Sequence, residues 1–193
     1  GMDGLYLLIN PERLASDALR VATVLAAAVR VIAAAEKIGR WDLILCGEAS
    51  VDEYNGQIGP RLAAALDLPA ITYATRLEIE NDLIVADRAV EDRAETVESQ
   101  LPTLVTVGME INQPRMPTVL QIMSAGRKPI VEIAVGDLEG LDLNALKARP
   151  SICEVDVFAP PSARKNVTIT GETISAIADD LLNRLRADGE VRL

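Results

Sequence analysis

Short apolar runs alternate with helical segments in the first third of the chain. Leu5–Ile9 (LYLLI) and Trp41–Cys46 (WDLILC) are short runs bounded by polar or turn residues, which predicts buried strands. Between them, Ala15–Ile38 carries apolar residues at helical spacing and ends before Gly39. A Gly-rich loop is followed by a second short helical segment, Pro60–Leu66. Strand, helix, strand and helix in this order predict an α/β fold in which helices cover a parallel sheet.

The middle of the chain contains short candidate strands with no long helix between them. Asn81-Asp82 lies between two of these runs and suits a tight turn, which predicts an antiparallel excursion on the parallel sheet. A short helix is expected over Pro117–Ala125 and a further strand over Ile130–Val135. The candidate strands are Ala70–Tyr73, Arg76–Glu80, Leu83–Arg88, Ala94–Val97 and Thr103–Val107.

The last part of the chain has fewer core-like residues. Ala159-Pro160-Pro161 predicts a stiff joint, and Thr173–Leu185 is an amphipathic helical segment with leucine and isoleucine on one side. We therefore expect an α/β domain over residues 1–149 and a linker with a helical arm over residues 150–193. The apolar side of the arm requires a surface to cover it.

Composition disfavours several classes of function. The net charge of −10 disfavours nucleic acid and anionic membrane surfaces as partners. The absence of histidine removes the commonest acid–base group and metal ligand, so we expect no catalytic site and no metal site. Two cysteines do not make a disulfide framework. No signal peptide is recognised, and charged residues interrupt Val21–Ile38, the most apolar stretch, which predicts a cytoplasmic protein without a membrane span.

The loop from Gly47 to Pro60 (GEASVDEYNGQIGP) is the best candidate binding site. Its glycines let the backbone approach a phosphate, and the helix that follows presents a positive end to an anion. Asp52 can accept hydrogen bonds from ribose hydroxyls. An ordinary acidic, solvated loop is the alternative, and the spacing alone favours it, because neither a Walker A motif nor G-x-G-x-x-G is present. The candidate binding residues are Cys46, Gly47, Glu48, Ala49, Ser50, Val51, Asp52, Asn55, Gly56, Gln57, Ile58 and Gly59.

At this loop the chain resembles the electron transfer flavoprotein β subunit, or FixA, family. The family element is G-x-Q-A-I-D-x-D-x-x-Q-x-G-P, and it wraps an adenine nucleotide, either AMP or a second FAD. Ile58 stands where forms that hold AMP often carry threonine, which favours FAD. Ala49, Ser50 and Tyr54 depart from the pattern, and the matching residues are Gly47, Asp52, Gln57, Gly59 and Pro60.

Two further segments resemble the same family more specifically. Residues 86–106 follow its signature of a basic residue, an acidic cluster, a glutamate, a proline and an apolar pair, with Arg93 as a departure. By themselves these residues predict only two strands joined by a charged turn. Residues 110–123 are similar to N-x-P-R-x-x-x-L-x-x-I-M, the family's docking segment for dehydrogenases, with Val119 in place of the anchoring leucine. Whether the segment docks a partner or caps the core stays open, and its candidate residues are Pro114, Arg115, Met116, Val119, Leu120 and Met123.

The resemblance implies a Rossmann-like, α-hydrolase-like fold and an electron-carrier subunit that is not itself an enzyme. Its implied partners are an α subunit that shares the electron-carrying FAD, flavin dehydrogenases, and a quinone reductase or other acceptor. The family's usual amino-terminal section is not recognised here, so we expect an incomplete nucleotide pocket. The alternative is a regulatory nucleotide-binding module of the universal-stress-protein type, whose G-x-x-G-x(9)-G-S/T loop is not found.

Overall fold

Seven strands and five α-helices are found in the described residues of a computed structural model. Those residues are 2–10, 17–51, 54–91, 93–148, 156, 158–159 and 166–190. The strands are β1 (Leu5–Ile9), β2 (Leu43–Gly47), β3 (Ala70–Glu80), β4 (Leu83–Val90), β5 (Arg93–Gln100), β6 (Thr103–Val107) and β7 (Ile130–Ala134). The helices are α1 (Ala18–Ala35), α2 (Ile58–Leu66), α3 (Val119–Ala125), α4 (Leu143–Ala148) and α5 (Ile174–Ala187).

The strands form two sheets. In the larger sheet the order is β2-β6-β3-β4-β5, with parallel pairing from β2 to β3 and antiparallel pairing from β3 to β5. The turn between β3 and β4 lies at Asn81 and Asp82, so the predicted antiparallel excursion is confirmed. In the smaller sheet β1 pairs in parallel with β7. The α/β class is therefore confirmed, but the single parallel sheet that the alternation predicted is divided.

Several predicted bounds differ from the structure for local reasons. The candidate strands Ala70–Tyr73 and Arg76–Glu80 are one strand, because the interruption between them is a bulge and not a loop. Helix α1 begins after Asp17, whose carboxylate caps it by accepting from Arg20 N at 2.9 Å. The predicted start at Ala15 lies outside the described residues. Helix α4 was not predicted, although Asp142 caps it through a 2.9 Å bond from Ala145 N.

Helix α1 connects the two sheets through small side chains. Ala22 and Ala26 pack with Leu62 and Ala63 of α2 and with Leu104 of β6. A second cluster joins another side of α1 to the segment after β7 and to α4, and consists of Val24, Ala27, Ala28, Val135, Leu138 and Leu146. Alanine permits this close approach of helix and sheet on more than one side.

The apolar composition of α1 also meets the requirement for a membrane span. Its 18 residues have a mean hydropathy of 1.9, and 33% of them are buried within the chain. On length and composition alone, α1 therefore qualifies as a candidate span, although it is shorter than the roughly 20 residues that a typical span requires. An alanine-rich helix in the core of a protein satisfies the same criterion of length and hydropathy. The packing of α1 on two sheets is the packing of such a core helix.

The chain separates into two compact units, Gly1–Cys153 and Glu154–Leu193. The second unit contains α5, which Thr173 caps by accepting from Ala176 N at 3.2 Å. The helix matches the predicted amphipathic segment over Thr173–Leu185. Its exposed apolar side chains are Ile174, Ile177, Leu181 and Leu182. The predicted joint at Pro160-Pro161 lies outside the described residues.

Candidate functional site

The loop that follows β2 lies at the carboxyl ends of the parallel strands β2 and β6, beside the bulge in β3. Gly47 at the end of β2 is paired with Val107 of β6, which is paired in turn with Ala74 of β3. Glu48 N continues the β2–β6 ladder by donating to Val107 O at 3.0 Å. Open α/β sheets bind their ligands outside the carboxyl ends of such strands. The loop therefore occupies the edge of the sheet where this architecture places a binding site.

Helix α2 begins earlier than the sequence predicts. It starts at Ile58, two residues before the predicted Pro60, so the candidate residues Ile58 and Gly59 belong to the helix. Gln57 is the N-cap but makes no capping bond with its side chain. Its Oε1 accepts instead from Arg61 Nε at 3.1 Å and Nη2 at 2.9 Å. The first turn of α2 thus combines backbone N–H groups, an oriented amide and an exposed guanidinium, which is a donor set for an anion.

The three glycines of the loop have different roles. A Cβ on Gly59 would lie 2.2 Å from Thr106 Cγ2, so only glycine lets α2 approach β6 this closely. Gly56 has φ of +61°, and a Cβ there would lie 2.9 Å from Tyr73 Oη. A Cβ on Gly47 would meet nothing within 4 Å. The protein's own packing therefore explains Gly56 and Gly59, whereas Gly47 faces open space.

Acidic and aromatic side chains gather on the sheet side of the loop. Tyr54 Oη donates to Glu48 Oε1 at 2.8 Å. A Cβ on Gly108 would lie 2.9 Å from a Glu48 carboxylate oxygen and 2.7 Å from one of Glu110, so both carboxylates converge on that point. The hydrogen bond to Glu48 raises the pKa of Tyr54, and the charges of Glu48 and Glu110 raise it further. At neutral pH the phenol of Tyr54 is protonated, as an unperturbed tyrosine also is, and it donates to Glu48.

The predicted loop residues differ in whether their side chains are buried, exposed or outside the described residues. Cys46 packs with its side chain in the core beside Leu104, where burial raises the pKa of its thiol, so only its backbone reaches the loop. Val51 is fully exposed, and Ser50 O accepts from Tyr54 N at 3.0 Å. Asp52, the predicted ribose ligand, lies outside the described residues. The structure adds neighbours that were not among the predicted residues, namely Tyr54, Arg61, Tyr73 and Glu110.

The segment that resembles a docking element is exposed in this chain. Helix α3 starts at Val119, two residues after the predicted Pro117, because Thr118 and Gln121 form a reciprocal capping box ahead of it. Met116 is 91% exposed and Leu120 is 78% exposed. These side chains therefore do not cap the core of the described chain.

An open, mainly apolar cavity lies beside the same segment. It has a volume of about 750 Å³ and is separate from the loop after β2. Met116 and Ile122 line it on one side, and Leu5 of β1 with Ile130 of β7 line it on another. The exposed apolar surface thus continues from α3 onto the smaller sheet.

Comparison with known proteins identifies the family. Residues 1–138 match the electron transfer flavoprotein domain. The electron transfer flavoprotein subunit beta of Bacillus subtilis is 38% identical over 151 residues, which cover 78% of this chain and 57% of that protein. The subunit beta of Megasphaera elsdenii is 32% identical over 195 residues, covering 97% of this chain and 70% of that protein. The caffeyl-CoA reductase-Etf complex subunit CarD of Acetobacterium woodii is 32% identical over 187 residues, covering 96% and 69%.

Each match covers most of this chain but only part of the relative. The chain spans 57% of the length of the Bacillus relative and about 70% of the length of the other two. The matched region contains the larger sheet, the loop after β2 and the exposed segment before α3. The chain belongs to the electron transfer flavoprotein family and, within it, to the β subunits.

Proposed function

We propose that this chain is the nucleotide-binding β subunit of a heterodimeric electron transfer flavoprotein. In this proposal the α subunit holds most of the electron-carrying FAD, and this chain binds AMP or a second FAD in the loop 47–59. Electrons pass from a flavin dehydrogenase to a quinone reductase or another acceptor in the cytoplasm. The flavin supplies the redox chemistry, so the residues of this chain have only to bind, orient and dock. The position of the family's nucleotide loop at the carboxyl ends of the parallel strands β2 and β6 carries the proposal.

The chemistry of the loop fits an adenine nucleotide. Arg61 and the N-terminus of α2 provide positive charge and N–H donors for a phosphate, and Arg61 also orients the Gln57 amide beside them. Glu48 and Glu110 lie on the sheet side of the loop and provide acceptors for ribose hydroxyls or an adenine amino group. The separation of donors from acceptors directs the phosphate toward α2 and away from the carboxylates.

The choice between AMP and FAD decides the class of electron carrier. Ile58 stands at the first position of α2, where the family's AMP-binding forms often carry threonine, and this favours a second FAD. A second FAD in turn fits a bifurcating complex. The relative named as a subunit of a caffeyl-CoA reductase-Etf complex supports assembly with an enzyme partner.

Replacing Gly47 with alanine tests the nucleotide site with little disturbance to the fold. Because a Cβ at Gly47 meets nothing within 4 Å, the free energy of unfolding should not change. A nucleotide that approaches this backbone would meet the new methyl group, and we expect its affinity to fall about tenfold, or about 1.4 kcal/mol. The measurement is the number of AMP and FAD molecules released per purified heterodimer.

Gly39 provides the matched control for this test. A Cβ there also meets nothing within 4 Å, and Gly39 lies in the turn before β2, outside the loop 47–59. Gly39→Ala should therefore leave both stability and nucleotide content unchanged. If Gly47→Ala retained as much nucleotide as Gly39→Ala, no ligand would approach the end of β2 and the proposed site would be wrong.

We further propose that the arm, residues 150–193, packs the apolar side of α5 on the α subunit. Ile174 is 87% exposed at the first position of the helix, and Asn183 lies on the opposite side by helical spacing. Ile174→Asp should weaken binding of the α subunit about tenfold, whereas Asn183→Asp adds the same charge and should have little effect. Equal affinities of the two variants in a titration with the α subunit would exclude this surface.

A further inference from the structure

Strand β3 is irregular opposite the nucleotide loop. Its register against β6 shifts between Ile71 and Ala74, and its register against β4 shifts between Ala74 and Arg76. Within this bulge Tyr73 has φ of 59°, a left-handed conformation that residues with large side chains rarely adopt. Bulges of this kind redirect a side chain and are common beside functional sites.

Side chains of two neighbouring strands hold the bulge in place. Thr106 of β6 is 2% exposed, and its Oγ1 accepts from Tyr73 N at 3.1 Å. Arg88 of β4 donates from Nη2 to Thr72 Oγ1 at 3.0 Å. Thr75 Oγ1 donates to the backbone oxygen of Asp87 at 3.2 Å. The left-handed conformation of Tyr73 is therefore fixed by contacts on both sides of β3.

The bulge brings the ring of Tyr73 against the loop. Its Oη lies 2.9 Å from the position of a Cβ on Gly56, and its Cζ lies 3.8 Å from that position. Gly56 is itself left-handed, and it immediately precedes Gln57, whose amide Arg61 orients. The phenol hydroxyl thus limits how closely the turn at Gly56 can approach the sheet.

We propose that Tyr73 is a positioning residue for the nucleotide loop, a role that rests on the proposed nucleotide-binding function. Its ring sets the place of Gly56, and through Gly56 it sets where Gln57 and the first turn of α2 meet the phosphate. The same contacts give the signature segment 86–106 a role, because Arg88 and Thr106 hold the bulge in place.

A double-mutant cycle on the α–β heterodimer tests this role, with AMP and FAD as the titrated ligands. Gly56→Ala should lower the affinity about 30-fold, because its methyl group meets both the left-handed backbone and Tyr73 Oη. In the Tyr73→Phe background the hydroxyl is absent and the nearest ring atom is at 3.8 Å. The same Gly56→Ala substitution should then cost only about threefold.

Variants at Thr106 provide a second arm that does not depend on Gly56. Thr106→Val keeps the shape of the side chain but removes the acceptor for Tyr73 N, and it should lower the affinity about tenfold. Thr106→Ser keeps the acceptor and should leave the affinity near that of the wild type.

The possible outcomes separate this inference from the proposed function. Equal costs of Gly56→Ala in the wild-type and Tyr73→Phe backgrounds, or equal affinities of the two Thr106 variants, overturn the role of Tyr73 while nucleotide binding stands. A wild-type heterodimer that binds neither AMP nor FAD overturns the proposed function and this inference together.

Discussion

Replacing Gly59 with alanine should destabilise the chain by about 3 kcal/mol, at the upper end of the usual cost of overpacking a core. The new Cβ would lie 2.2 Å from Thr106 Cγ2, and Thr106 is buried in β6, an interior strand of the larger sheet. Helix α2 must therefore lift away from the sheet. Its first turn carries Gln57 and Arg61, so nucleotide content should fall as well. Urea denaturation measures the free energy of unfolding, and the released nucleotide is counted separately.

A substitution at Thr106 can remove the clash that a Cβ on Gly59 would cause. Thr106→Ser removes the methyl group that a Cβ on Gly59 would meet, and the nearest remaining atoms, Leu104 Cδ2 and Thr106 Cβ, are at 3.6 Å. Thr106→Ser alone should cost about 1 kcal/mol for the lost buried methyl group. The double variant should then be more stable than Gly59→Ala alone. If Gly59→Ala destabilised both backgrounds equally, the close approach of α2 to β6 would not be the cause.

Local pattern was sufficient to predict most of the secondary structure. Short strand-like runs in the sequence predicted all seven strands of the described chain to within a few residues, and Asn81-Asp82 predicted the turn of the β3–β4 hairpin. The pattern does not determine which strands are neighbours. The pairing of β1 with β7 and the separation of β1 from β2 depend on contacts between distant segments. The bulge at Tyr73 was predicted as a break between two strands, because a loop and a bulge interrupt a strand-like pattern in the same way.

The position of the candidate site was predictable, but its surroundings were not. A Gly-rich segment between a strand and a helix indicated the loop 47–59, and the structure places it at the carboxyl ends of parallel strands. The contact of Arg61 with Gln57 could have been predicted, since Arg61 lies four residues after Gln57 at helical spacing. No local pattern predicts that Tyr73 and Glu110 lie beside the loop, because β3 and the segment after β6 reach the loop only through the sheet.

The surface around α3 has the composition of a partner-binding site. Met116, Val119, Leu120, Ile122 and Met123 are each more than half exposed, and methionine adapts its shape to different partners. Arg115 adds a charged group at the margin of the adjoining cavity. Such a surface can bind a flavin dehydrogenase and release it quickly, because a small docking area gives a short-lived complex. We therefore propose that this segment docks the electron donor.

Replacing Val119 with aspartate should lower the rate of reduction by the dehydrogenase about 30-fold, as expected for a charge introduced at the centre of an interface. Val119 is 72% exposed and is the first residue of α3, where a carboxylate is compatible with the helix dipole. The free energy of unfolding and the nucleotide content should therefore stay as in the wild type. Stopped-flow reduction of the heterodimer by a dehydrogenase that reduces the wild type measures the effect.

Ile79 provides the matched control for this substitution. It is 52% exposed and lies near the tip of the β3–β4 hairpin, on a different element from α3. Ile79→Asp introduces the same charge and should leave the reduction rate within about twofold of the wild type. The decisive comparison is between the two measured properties of Val119→Asp. If its nucleotide content fell while reduction by the dehydrogenase survived, the segment around α3 would support the nucleotide site and would not dock the donor.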